Sequence, residues 1–313
     1  MAIIDPHHHL MNHYDMRYEI DDLKADIADG HNILATVYVE CRRGYRESGP
    51  AALAPVGEVE TVEAIVSSLP KGRTDFCAGI VGHADLTLGD AVDVVLEAHG
   101  AASPDRFRGI RHLAAWDDDD TVHMTMINAH PTILDDPEFR RGAARLAARG
   151  LSFDTWIYHP QLLDLARFAL AVPELTIVLD HIGMPVGIGR YTGRRAEIFE
   201  SWRQGIRALA ACPNVVVKLG GFVMPISGFG WHERAVPVGS EELAQATRDY
   251  YMTVIDAFGP DRCMFESNFP MDREACAYNV LWNSFKRLAA GFSDAEKDSL
   301  FRGTAARVYR LNY

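Results

Sequence analysis

The chain reads as an α/β protein of the (β/α)8 barrel type, and three observations lead there. Short apolar, β-rich runs recur eight times along the sequence. Segments with helical periodicity separate them, the pattern of parallel strands joined by helical crossovers. Nearly every apolar run ends in polar or ionisable residues, at the strand ends where such a barrel places its chemistry.

The expected strands cover 2–7, 33–40, 76–82, 107–112, 151–157, 175–180, 215–219 and 263–266. The clearest helix lies over 56–69, where Val56, Val59, Val62, Ile65, Val66 and Leu69 recur at three- and four-residue steps and so share one face. Further helices are expected over 91–99, 137–149, 161–171, 195–211, 241–258 and 278–290. Two short helices close the chain, one with Ser293 as N-cap and Glu296 at the capping-box position. A doubly wound open sheet is the rival architecture. The lack of G-x-G-x-x-G after the first strand argues against its nucleotide-binding forms.

With 313 residues, 48% of them hydrophobic, the chain can bury a sizeable core. No linker, repeat or low-complexity tract divides it, so 1–313 is expected to be one domain. The run Asp117–Asp120 reads as a solvated turn. A net charge of −12 argues against nucleic-acid partners, which need clustered positive charge. No apolar run is long enough for a membrane span, and no secretory leader is visible. The five cysteines are scattered, without a C-x-x-C pair, which fits a reduced cytoplasm and no thiolate zinc site.

The strand ends carry His7, His8 and His9, then Glu40, His83, Arg111 with His112, Trp156 with Tyr158 and His159, Asp180 with His181, Lys218, and Glu266 with Asn268. Side chains alternate along a strand, so His7 and His9 share a face and His8 takes the other. Facing the barrel axis, His7 and His9 form a chelating pair for a metal such as zinc. His181, after the apolar run TIVLD, is the candidate third imidazole, and His159 is a weaker one. His13, His31, His99, His123 and His130 have no such placement and read as surface or structural.

The segments DPHHHL (5–10), RGIRH (108–112), LDHIGMP (179–185), NVVVKLGG (214–221) and FESNFPMD (265–272), with the closing stretch 292–311, resemble the amidohydrolase superfamily. The similarity is greatest to the branch of 2-pyrone-4,6-dicarboxylate lactonase, L-fuconolactonase and sulfomuconolactone hydrolase. The resemblance implies a (β/α)8 barrel that hydrolyses a lactone or a similar carbonyl. It also implies an Asp at the end of the last strand as the base that deprotonates water. Here that position is Asn268, a neutral amide, which leaves Glu266, Asp272 and His181 as candidate bases.

One divalent cation, zinc or manganese, is expected on His7, His9 and His181, with Glu40 restoring the lost anionic charge. Metal-free catalysis stays open, with the three histidines polarising the substrate carbonyl. Arg111, Tyr158, His159 and Lys218 are the candidates for holding an acidic small-molecule substrate. Trp231, His232 and Arg234, in the long segment 221–240, are the candidates for closing over it. The leading expectation is therefore a cytoplasmic hydrolase of a negatively charged lactone. Non-oxidative decarboxylation of an aromatic or muconate-type acid is the first alternative, and a ligand-binding barrel without catalysis the second. Assembly into a homo-oligomer is compatible with all three.

Overall fold

A computed structural model describes residues 1–13, 16–122 and 129–313. Eight strands run parallel in chain order: β1 (Ala2–His8), β2 (Asn32–Val39), β3 (Asp75–Gly82), β4 (Phe107–Arg111), β5 (Ser152–Thr155), β6 (Ile177–Leu179), β7 (Val215–Leu219) and β8 (Cys263–Phe265). They curl into a nearly closed barrel, and β8 returns to β1 through the single bridge His8–Phe269. The helices are α1 (Ile20–Ile27), α2 (Val56–Ser67), α3 (Asp93–Ala102), α4 (Pro137–Ala148), α5 (Leu162–Ala171), α6 (Arg195–Ala210), α7 (Ser240–Phe258) and α8 (Tyr278–Leu288).

The eight expected strands are all present, with shifts at their ends. The strand expected over 175–180 stops at Leu179, because His181 and Ile182 turn into the left-handed region with φ of 54° and 53°. Two elements escaped the sequence reading. One is the hairpin of Met11–His13 with Met16–Tyr18. The other is α1, eight residues long, whose buried stripe is only Leu23 and Ile27. His123 lies outside the described residues. No disulfide joins the cysteines. Among the described residues, no helix is long and apolar enough to cross a membrane.

Strand alternation sorts the core into two clusters. Ile3, Ile33, Tyr38 and Phe153 pack outward against the helices. Ile4, Val37, Val39, Val81, Val178, Val216 and Met264 fill the barrel, joined from the C-terminal segment by Val308, Tyr309 and Leu311. Each such side chain removed from water contributes roughly 1.5–3 kcal/mol. Three strands then carry a charged residue two positions beyond the interior apolar one, on the same face. Asp180 follows Val178, Lys218 follows Val216, and Glu266 follows Met264. A polar layer thus sits directly above the apolar one.

The first strand reaches that layer by an irregularity. Ile4 points inward, so strict alternation would also send His8 inward. The register against β2 slips between Asp5 and His8, where three steps on β1 match two on β2. This bulge turns His7 and His9 toward the interior and His8 outward. His8 is buried beside Tyr38, with its Nε2 2.9 Å from Thr36 Oγ1.

Candidate active site

The polar layer centres on Glu266. One of its oxygens lies 2.9 Å from His7 Nδ1, and the other lies 2.7 Å from His181 Nδ1. Burial pulls its pKa upward, but His181 and His7 outweigh burial and hold it at about 2. An ionised carboxylate only accepts, so both imidazoles donate Nδ1–H to it and keep their Nε2 lone pairs. His9 has the same tautomer, because its Nδ1 donates to the Val39 carbonyl at 2.8 Å. Burial, helped by Lys218 near His7 and by Arg111 near His9, keeps both rings well below the usual histidine pKa and hence neutral.

Two glycines make room for this arrangement. A Cβ at Gly221 would stand 2.2 Å from His181 Nδ1, and one at Gly220 would stand 2.3 Å from Glu266 Cγ. Lys218 runs below, fully buried, with Nζ 2.8 Å from Asp154 and 3.0 Å from Asp180. Tyr309, from the C-terminal segment, donates to Asp154 at 2.5 Å.

A divalent cation fits these residues. The Nε2 atoms of His7 and His9 are 3.2 Å apart, two lone pairs converging on one place. His7, His181 and Glu266 each offer a donor within 4.8 Å of the others. Four buried carboxylates, Glu40, Asp154, Asp180 and Glu266, face only two cations, Arg111 and Lys218. Asp180 Oδ2 accepts no hydrogen bond and lies 3.8 Å from Arg111 Nη1. Uncompensated buried charge is costly, and neutral imidazole with carboxylate is a donor set that zinc or manganese accepts.

The structure revises several expectations. Arg111 is not free for a substrate carboxylate: its Nε binds Glu40 at 2.9 Å, and its Nη2 donates to the Glu40 carbonyl. The same pairing takes Glu40 out of the donor group. Lys218 is sealed among Asp154, Asp180 and His7 and reaches no substrate. Glu266 has committed both oxygens to imidazoles and so acts as their anchor. Asp272 is buried, accepts from Asn268 Nδ2 at 2.9 Å, and is pushed well above the usual carboxylate range by burial. That favours its protonated form, a poor base. Asn268 sits at φ 54° with its amide held by Asp272 and its backbone N–H by the His7 carbonyl.

His159 supports the loop after β6, with Nδ1 accepting from Val186 N and its ring edge-on to Tyr191. Trp231 is buried flat on Phe229, which Arg195 covers from above. Arg234 pairs with Glu242, and His232 lies near Glu233. Tyr158 is buried, with its hydroxyl donating to the Val122 carbonyl at 3.3 Å. His99 and His31 bond to backbone carbonyls, those of His83 and Asn279, and His130 contacts Thr132. The sequence reading left out Asp154, and it named Trp156 and Asp180 only as strand-end residues. The period-two step beyond Val178 was the available signal for Asp180.

An α/β barrel with buried imidazoles anchored to one carboxylate at the carboxyl ends of its strands has the build of a barrel enzyme. The chain matches the Amidohydro_2 family, described as amidohydrolase, over residues 4–311, and it belongs to that family. It is 30% identical to an L-fucono-1,5-lactonase of Burkholderia multivorans, over 83% of this chain and 80% of that protein. It is 32% identical to the protein y4mH of Sinorhizobium fredii, over 99% of both chains. A crystal structure of a Burkholderia multivorans amidohydrolase with bound zinc superimposes with a TM-score of 0.74 at 26% identity, covering all of both chains.

Proposed function

We propose that this protein is a lactonase that opens a neutral, hydroxyl-bearing lactone. The observation that carries the reading is the Glu266 bridge, which presents His181 Nε2 as a base and fixes His7, whose Nε2 lies 3.2 Å from that of His9. The lactone chemistry is supported by the L-fucono-1,5-lactonase relatives. The neutral substrate is supported by Arg111 and Lys218, whose charges are already met inside the barrel.

His7 and His9 would hold the divalent cation, which when bound polarises a carbonyl and acidifies water. The chain's own residues account for the proton. As water adds to the lactone carbonyl carbon, His181 Nε2 takes its proton, and Glu266 stabilises the resulting imidazolium through the 2.7 Å contact. The ring C–O bond of the tetrahedral intermediate then breaks. The departing oxygen recovers the proton from His181, giving the open hydroxy acid. Asn268, a neutral amide, takes no proton, so the base role falls to the His181–Glu266 pair.

The test is acid release from neutral aldono-1,5-lactones, L-fucono-1,5-lactone first, beside lactones bearing a carboxylate. The proposal expects turnover of neutral lactones and little of the charged ones. Exclusive turnover of charged lactones, or none of either kind, contradicts it.

A further inference from the structure

Trp156 directly follows β5 and lies at the mouth of the barrel. It is 6% exposed, and its indole N–H is buried without an acceptor. Its ring stands edge-on to His181, with centroids 6.0 Å apart, and edge-on to Tyr158 at 5.5 Å. Among the described residues, it is the indole donor without an acceptor whose ring packs against His181. Buried donors in folded proteins nearly always find an acceptor, so an orphaned one beside reactive groups calls for an explanation. An indole N–H donates only, so the missing partner is an oxygen or another acceptor.

We propose that Trp156 is a substrate-binding residue, its indole N–H donating to an oxygen of the ligand held beside His181. This deepens the lactonase reading and rests on it for the identity of the ligand. Its chemistry suits an oxygen-rich, uncharged ring. The indole and phenol rings form an apolar wall with a single directional donor, the usual lining of a small-molecule site. His181, in contact with the same indole, is the group that reacts.

The experiment uses the full chain and Trp156→Phe, which keeps an aromatic ring and removes the donor. Indole N–H resonances of 15N-labelled protein are followed while L-fucono-1,5-lactone and other neutral aldonolactones are added. The resonance missing from the variant belongs to Trp156. The proposal expects it to move downfield on saturation, and it expects kcat/KM to fall about tenfold or more in the variant, mostly through KM. Unchanged kinetics with a stationary resonance overturn it, as does a stationary resonance across the whole panel. If the resonance moves but no lactone is hydrolysed, the Trp156 inference stands and the lactonase reading fails.

Discussion

Along β4 to β7, neighbouring strands share regular parallel ladders. Gly109 to Arg111 pair with Ser152 to Asp154, and Phe153 to Thr155 pair with Ile177 to Leu179. Between β8 and β1 the ladder lapses to one bridge. Side chains take over there. Asp5 accepts from Ser267 N at 3.0 Å and from the Tyr278 hydroxyl of α8 at 3.0 Å. Asn268, in a left-handed conformation, is pinned by Asp272. The regular wall carries the closed pair of Lys218 with Asp154, whereas the seam carries His7, His9 and Glu266. The reactive groups gather where backbone pairing gives way and side chains must hold the geometry, as strained positions at functional sites do elsewhere.

The largest expected effect comes from the seam. Glu266→Ala removes the acceptor that sets two tautomers at once, so kcat should fall by about 10³- to 10⁴-fold, with the fold retained by circular dichroism. A loss below about tenfold would mean the histidines hold their orientation without it.

The wall should answer in stability instead. Lys218→Met leaves Asp154 and Asp180 buried without their cation, an expected cost of about 3–5 kcal/mol in denaturant unfolding. A variant as stable as the wild type would show that those carboxylates are protonated in the native state.

Asp5 gives the smallest effect, and it depends on pH. Burial raises its pKa from 3.8 to about 6. A carboxyl raised on folding contributes stability that is full below its unfolded pKa and is lost as pH rises through about 6. The wild type should therefore gain on Asp5→Asn by roughly 1–2 kcal/mol between about pH 8 and pH 5. A constant difference across that range would place Asp5 outside the seam's electrostatics.

The wall was more legible in the sequence than the seam. The apolar runs TIVLD and VVVKL mark two strands and so place Asp180 and Lys218 at strand ends. What alternation cannot show is partnership. Arg111 and Lys218 read as substrate clamps because their carboxylate partners come from strands far away in the sequence. At the seam, His7 and His9 share the inner face, but the reason differs from simple alternation. The bulge in β1 inverts the faces after Asp5, and no residue in DPHHH announces it. Asp272 was read as a base candidate, since the burial that raises its pKa is a property of the fold. Trp156 was named at a strand end without a role, and its lack of an acceptor is a property of the fold.

The most direct test of the Glu266-centred account is zinc titration by calorimetry into chelator-treated wild type, with His7→Ala beside it. About one saturable site per chain is expected in the wild type, with none in the variant. Binding that is absent from the wild type, or that survives unchanged in His7→Ala, would contradict the claim that the seam presents its imidazoles to a cation.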